Sequence, residues 1–260
     1  MHSLSAGGTV DDPMAPYLAV DRSQPRHECW VTGHMVAGLD GTAAIDGKVG
    51  ALSTDVDQDL FRKMRQIADV VLVGAETVRK EGYGLIRLSD DAKAARQRAG
   101  KPPTPPVAVV SGSLELNWNL KLLSQSPDHA KTMIITTESA DPQRLAEAQQ
   151  HTEVITAGTD RVDPAAALQA LADRGHGVVL CEGGPTLLGE FVAADRLDEL
   201  CLSISPVMGG DNLPVGITPD GAGVHVHTPR HHGARRHPVS ALRVQPARRN
   251  QRWCVTHLMI

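Results

Sequence analysis

Short apolar runs alternate along this chain with stretches in which apolar residues recur every three or four positions. Val70-Val71-Leu72-Val73 is too short for a helix, rich in β-branched residues, and stops at Gly74, so it reads as a buried strand. Comparable runs predict strands at about Cys29 to Ala37, Val107 to Val110, Thr132 to Thr136, Val154 to Thr156, Val178 to Cys181 and Leu200 to Ser205. Helical patterns lie between them. Thr54 and Asp55 are capping candidates for a helix from about Asp55 to Ile67, with Leu60, Met64 and Ile67 at helical spacing. A second helix runs from Gly74 to about Glu81, and residues 90–106 form a polar surface helix followed by a proline-rich connector. Asp141-Pro142 starts another helix. Asp163-Pro164 opens one to about Arg174, with Asp as cap and Pro at the first helical position. A last helix follows the Val178 to Cys181 run and reaches about Ala194.

The repeated β-α alternation predicts an α/β fold, a three-layer sandwich around a mainly parallel sheet. Near the C-terminus, Val239 to Val244 and Trp253 to Met259 read as an antiparallel hairpin at its edge. Residues 1–26, rich in Gly, Pro, Asp and Ser, read as a flexible extension, and residues 27–260 as the folded domain.

Composition narrows the function classes. Aromatic residues make up only 3% of the chain, so the core must be aliphatic and a stacking platform for single-stranded nucleic acid is disfavoured. A net charge of −4 exerts no overall pull towards nucleic acid or membrane. No stretch has the length of a transmembrane helix, and Met1 to Pro16 lacks a secretory signal pattern. Cys29, Cys181, Cys201 and Cys254 are far apart, which suits reduced thiols in a cytoplasmic protein. The last 40 residues hold seven arginines and no acid; His225, His227, His231 and His232 cluster there, but without a nearby acid or thiol they read as a solvated loop and no metal site is expected. That basic tail is also the only feature favouring a nucleic-acid binder, and it does so weakly.

Two strand-to-helix glycine junctions carry the candidate chemistry. One is Val73-Gly74-Ala75-Glu76-Thr77, the other Cys181-Glu182-Gly183-Gly184-Pro185-Thr186-Leu187. In a parallel sheet both lie on the carboxyl edge, where ligands bind. Helix N-termini offer free N–H groups and positive potential, so the pair suits a diphosphate. Pro185 has no N–H, so the donors there are Gly184, Thr186 and Leu187. Ser111 and Ser113 follow a strand end and could hold a ribose or its phosphate, or simply form a polar turn. No G-x-G-x-x-G fingerprint, P-loop, zinc-deaminase pattern or G-x-S-x-G elbow is present. Candidate acids near the cleft are Asp40, Glu182, and Asp55 or Asp59, whereas Asp55, Asp57 and Asp59 together also read as a solvated helix start.

Gly38-Leu39-Asp40-Gly41, then Ala68 to Arg79, then Glu182-Gly183-Gly184-Pro185, occur in that order over residues 28–260. Together they resemble the reductase, or C-terminal, domain of bacterial riboflavin biosynthesis RibD, which has the dihydrofolate reductase-like fold. The resemblance implies an NADPH-dependent oxidoreductase acting on 5-amino-6-(5-phosphoribosylamino)uracil or a close relative of it. It implies cofactor contacts at Ala37, Gly74, Thr77 and Glu81, a diphosphate grip at Gly183, Gly184, Pro185, Thr186 and Leu187, and Ser111 and Ser113 near the adenosine 2′-phosphate. It further implies substrate contacts at Arg65 and Glu182, and a homodimer. Asp40 is the candidate catalytic acid. The chain departs from the family at Val49 to Leu52, which lacks the Ser-x-Trp segment, and at Val78-Arg79-Lys80-Glu81-Gly82-Tyr83, which replaces a Thr-motif continuation with Asp-Asp-Pro. These departures keep two alternatives open: a dihydrofolate (pterin) reductase and a catalytically inactive nucleotide-binding homologue.

Overall fold

The computed structural model describes residues 2–3, 8–9, 14–219, 225–227, 241–245 and 254–259. Two short strands, β1 (His2–Ser3) and β2 (Gly8–Thr9), and helix α1 (Ala15–Leu18) precede the main sheet. The sheet is then built by β3 (Trp30–Ala37), β4 (Val70–Gly74), β5 (Val107–Val110), β6 (Met133–Thr136), β7 (Glu153–Thr156), β8 (Val178–Cys181) and β9 (Glu199–Ile204). The intervening helices are α2 (Asp55–Met64), α3 (Ala75–Glu81), α4 (Asp90–Arg98), α5 (Lys121–Ser124), α6 (Pro142–His151), α7 (Pro164–Ala172) and α8 (Pro185–Ala193). These seven strands are parallel throughout, in the spatial order β9-β3-β8-β4-β5-β6-β7.

The apolar runs are continuous because both faces of the sheet are covered. In β4, Val71 and Val73 pack into one core layer, with Leu60 and Met64 of α2. Val70 and Leu72 pack into the other, with Leu168 and Leu171 of α7. Side-chain caps set several helix starts: the Thr54 hydroxyl accepts from the Asp57 N–H, and the Asp163 carboxylate accepts from Ala165 and Ala166.

Several expectations need correction. Residues 14–26 are not a free extension: Met14 and Tyr17 are buried in the core, and Arg22 binds the buried Glu199 carboxylate at 2.7 Å. Helix α2 ends at Met64, short of Ile67. The reason lies in α4, which is not wholly a surface helix. Its Arg96 is buried and donates to the carbonyls of Gln66, Ala68 and Pro102 at 3.0, 2.5 and 2.8 Å, satisfying the chain just past the end of α2. The four-residue helix α5 has no counterpart among the expected elements.

The expected antiparallel C-terminal hairpin is not how the main sheet is extended. Strands β10 (His225–His227), β11 (Ala241–Gln245) and β12 (Cys254–Met259) follow, and β12 meets β9 in parallel register, Cys254 opposite Glu199. The antiparallel pairings are confined to β10 with β11, β11 with β12, and the short β1 with its neighbours β2 and β12. Strand direction at a sheet edge depends on how the connecting segment travels, which apolar periodicity does not encode. Among the described residues no helix is long and apolar enough to cross a membrane. His231 and His232 lie outside the described residues.

Candidate active site

Strands β4 and β8 are neighbours, so the two glycine junctions lie side by side. The Gly74 N–H donates to the Gly183 carbonyl at 2.7 Å. Gly183 has φ +79°, in the left-handed region that favours glycine, and the Gly183–Gly184 peptide bond is cis. A Cβ at Gly184 would stand 2.9 Å from Thr77 Oγ1, so the second junction closes against the helix that follows the first. Pro185 starts α8, whose first-turn residues Thr186 and Leu187 line the cavity with backbone N–H groups that have no intrahelical acceptor.

These junctions form one wall of a cavity of about 870 Å³, near the upper end of the range for small-molecule sites. Gly74, Thr77, Glu81, Ser111, Ser113, Gly184, Pro185, Thr186 and Leu187 all line it, together with Arg65 and Glu182. This donor set, two glycine turns and the open end of a nine-residue helix, fits a dinucleotide diphosphate. Glu81 accepts from the Val49 N–H at 3.0 Å, tying α3 to the loop opposite. The Ser111 and Ser113 hydroxyls accept from the Leu114 and Glu115 N–H groups at 3.0 and 3.4 Å, as in a polar turn, while both residues still face the cavity.

Arg65 and Glu182 come together, but on each other. Arg65 Nε and Nη2 donate to the two Glu182 oxygens at 2.7 and 2.8 Å, a bidentate pair. The Tyr83 hydroxyl donates to Glu182 as well, and accepts from Arg65 Nη2 at 2.9 Å. The guanidinium lies over the Phe61 ring, 4.6 Å from its centroid. Burial works against the Arg65 cation, but Glu182 and Tyr83 more than offset it and hold its pKa above the ordinary arginine value. Burial, followed by the Glu182 charge, raises the Tyr83 hydroxyl well above the ordinary tyrosine range.

A second polar group sits on the same face of the sheet. His34, at the middle of β3, is buried, and its Nε2 lies 3.9 Å from Asp57 Oδ1. Asp57 is not part of a solvated helix start. Its carboxylate accepts from Ser53 Oγ at 2.6 Å and from the Ser203 hydroxyl, whereas Asp55 and Asp59 are exposed and Asp59 pairs with Lys63 at 2.7 Å. Neither His34 nor Tyr83 stood out in the sequence. A usable signal existed for Asp57: it shares the three-to-four spacing of Leu60 and Met64, so it lies on the buried face of α2.

Three expected site residues lie outside the cavity wall. Asp40 is exposed, and its carboxylate is committed to the loop, accepting from the Thr42 N–H at 3.1 Å and the Gly209 N–H at 2.6 Å. These backbone bonds, Gly209 first, hold its pKa below the ordinary aspartate value, the reverse of what a proton donor at neutral pH requires. Ala37 is buried and its carbonyl accepts from Ser205 N–H at 2.7 Å. Gly183 lies behind the wall, turning the chain. Among the described residues no group of three His, Cys, Asp or Glu side chains could hold a metal ion.

Known proteins resemble this chain in sequence and fold. A 2,5-diamino-6-ribosylamino-4(3H)-pyrimidinone 5′-phosphate reductase of Methanothermobacter thermautotrophicus is 31% identical over 184 residues, covering 66% of this chain and 78% of the relative. The reductase of the same name from Aquifex aeolicus is 30% identical, over 68% of this chain and 80% of its own. The crystal structure of a pyrimidine reductase-like protein from Corynebacterium diphtheriae superposes with a TM-score of 0.73 at 25% identity, covering 85% of this chain and 93% of that one. Residues 29–231 match the RibD C-terminal domain, and with its glycine junctions meeting at one cavity this chain belongs to that family.

Proposed function

We propose that the chain is an NADPH-dependent reductase of the riboflavin-biosynthesis type, acting on a phosphoribosylamino-pyrimidine. One observation carries this reading: the cavity joins a diphosphate cradle at Gly184 to Leu187 with a buried polar floor around Arg65 and Glu182. The names of the relatives supply the substrate class, and the choice between an amino and an oxo group on the pyrimidine ring separates 2,5-diamino-6-ribosylamino-4(3H)-pyrimidinone 5′-phosphate from 5-amino-6-(5-phosphoribosylamino)uracil. A bound reduced nicotinamide would supply a hydride to the sugar carbon of a C=N bond. The chain's own part is to hold the diphosphate on the N–H groups of Thr186 and Leu187, to place Thr77 beside it, and to orient the pyrimidine against Arg65. The Glu182 carboxylate serves by fixing that guanidinium, whose Nη1 hydrogens remain for a ligand. Ser111 and Ser113 would lie towards the adenosine end. The family resemblance also supports a homodimer, which sedimentation equilibrium would test.

The decisive assay follows NADPH absorbance with each pyrimidine and, separately, with dihydrofolate. Oxidation with a phosphoribosylamino-pyrimidine alone is expected. Oxidation with dihydrofolate alone would replace the substrate by a pterin, and NADPH binding without turnover on any of them would mark an inactive homologue. For the cradle, Thr186→Asp should weaken NADPH binding at least 100-fold by setting a negative charge against the diphosphate. Unchanged affinity would put the cofactor elsewhere.

A further inference from the structure

Among the described residues the lysines and arginines that line the cavity are Arg65, Arg79, Lys80 and Arg161. All but Arg79 are matched by carboxylates: Arg65 by Glu182 and Lys80 by Glu76, each at 2.7 Å, and Arg161 by Glu190. Arg79 Nη1 donates instead to the Glu115 carbonyl at 2.8 Å, which sets its guanidinium against the turn that follows β5. The Glu115 carboxylate is taken by Arg144 at 2.9 Å.

That turn presents donors to the cavity. Its Ser113 carbonyl is held by Arg144 at 2.9 Å, and its Glu115 carbonyl by Arg79. The Ser111 and Ser113 hydroxyl oxygens accept from the Leu114 and Glu115 N–H groups, and neither hydroxyl donates to an acceptor among the described residues. Two O–H hydrogens and most of a guanidinium therefore remain for an acceptor beside one stretch of cavity wall. A Cβ at Gly112, between the serines, would meet nothing within 4 Å, so there is room for one.

We infer that Arg79, with the Ser111 and Ser113 hydroxyls, binds the 2′-phosphate of the cofactor and selects NADPH over NADH. The inference rests on the reductase reading above. The order of strands is β3-β8-β4-β5: Glu182 follows β8, the two glycine junctions follow β8 and β4, and the serine turn follows β5. With strands about 4.8 Å apart, the turn lies roughly 10 Å from the end of β8, on the side away from β3. A phosphate there stands beyond the diphosphate cradle, on the adenosine side. A phosphate monoester dianion suits a guanidinium and two hydroxyls. The ribose 2′-hydroxyl of NADH would suit a free carboxylate, but the cavity-lining acid of the same helix, Glu76, is paired with Lys80.

The test titrates NADPH and NADH into the whole chain without pyrimidine, each read by nicotinamide fluorescence. The wild-type chain should bind NADPH at least about 10-fold tighter, the worth of a hydrogen bond to a charged group. Arg79→Gln should weaken NADPH at least about 10-fold more than NADH, and Arg79→Lys, which keeps the charge, should retain more of the preference. A loss of fold would weaken both cofactors alike. Arg79 is exposed, so added salt should weaken NADPH more than NADH. The preference should also shrink below about pH 6, where a phosphate monoester takes up its second proton. An Arg79→Gln chain that keeps the wild-type ratio of the two affinities would overturn the inference. If that ratio is unmoved while KM for the pyrimidine 5′-phosphate rises, Arg79 belongs to the substrate's phosphate and the inference fails. Equal wild-type affinity for NADH and NADPH would overturn it and leave a nicotinamide reductase. A chain that binds neither would refute the reductase reading, and this inference with it.

Discussion

Replacing Glu182 by Gln should destabilise the fold by about 3–5 kcal/mol, the usual cost of removing one member of a buried ion pair and stranding the other. The Glu182 side chain is 0% exposed and that of Arg65 12%, so water cannot take over the lost interactions. The carboxylate accepts both Arg65 contacts, at 2.7 and 2.8 Å, and the Tyr83 hydroxyl. An amide of the same shape keeps one acceptor and turns a donor towards the guanidinium. Arg65→Leu should cost a comparable amount by stranding the carboxylate. The double variant removes both charges and lays an apolar side chain against Phe61, so its loss should fall short of the summed single losses by about 2–3 kcal/mol. Urea unfolding followed by circular dichroism reads all four proteins. With a slope of about 3 kcal/mol per molar urea, each single variant should unfold at about 1–1.7 M lower urea than wild type. Single losses below about 0.5 kcal/mol, or an additive double variant, would show that the pair is solvated and the reasoning from burial mistaken.

Three further outcomes are expected. A Cβ at Gly189 would stand 1.9 Å from the Ile217 carbonyl oxygen, so Gly189→Ala should force the chain around Ile217 off α8 and cost about 1–3 kcal/mol; an unchanged Tm would refute that contact. Burial pushes the Cys29 and Cys181 thiols up to about 12, so their thiolate fraction at pH 8 is on the order of 10⁻⁴. Native-state alkylation read by mass spectrometry should leave both unmodified, and rapid labelling of either would contradict their burial. Arg96→Lys keeps the charge but loses the planar fork that reaches four carbonyls, so thermal unfolding should show a loss of about 1–3 kcal/mol, and none at all would refute the anchoring of α2.

The strands and helices were legible because a two-sided parallel sheet writes itself as unbroken apolar runs. Val70 to Val73 and Val178 to Cys181 needed no more than that, and Asp163-Pro164 marked its helix start by capping chemistry. The glycine junctions were legible as a pair, because neighbouring parallel strands end on one edge. What escaped was everything decided by side chains meeting across long sequence separations. Arg65 and Glu182 are 117 residues apart, and nothing local says that they bind each other rather than a ligand. Asp40 looked catalytic in a motif, but its carboxylate is consumed by Gly209, 169 residues away. Asp57 was hidden by its exposed neighbours Asp55 and Asp59, although its register on α2 pointed inward.

The grip of Arg96 on the chain beyond α2 has a consequence for how this site can be altered. Asp57, Phe61 and Arg65 all ride on one short helix or its cap, held by Thr54 at the start and steadied at its end by a guanidinium from α4. Position 96 is not part of the cavity wall, yet a change there should reach Asp57, the Phe61 ring and the Arg65 cation together through α2. Substrate preference can therefore drift through residues far from any ligand, and the mutations that retune it need not lie where a ligand is held.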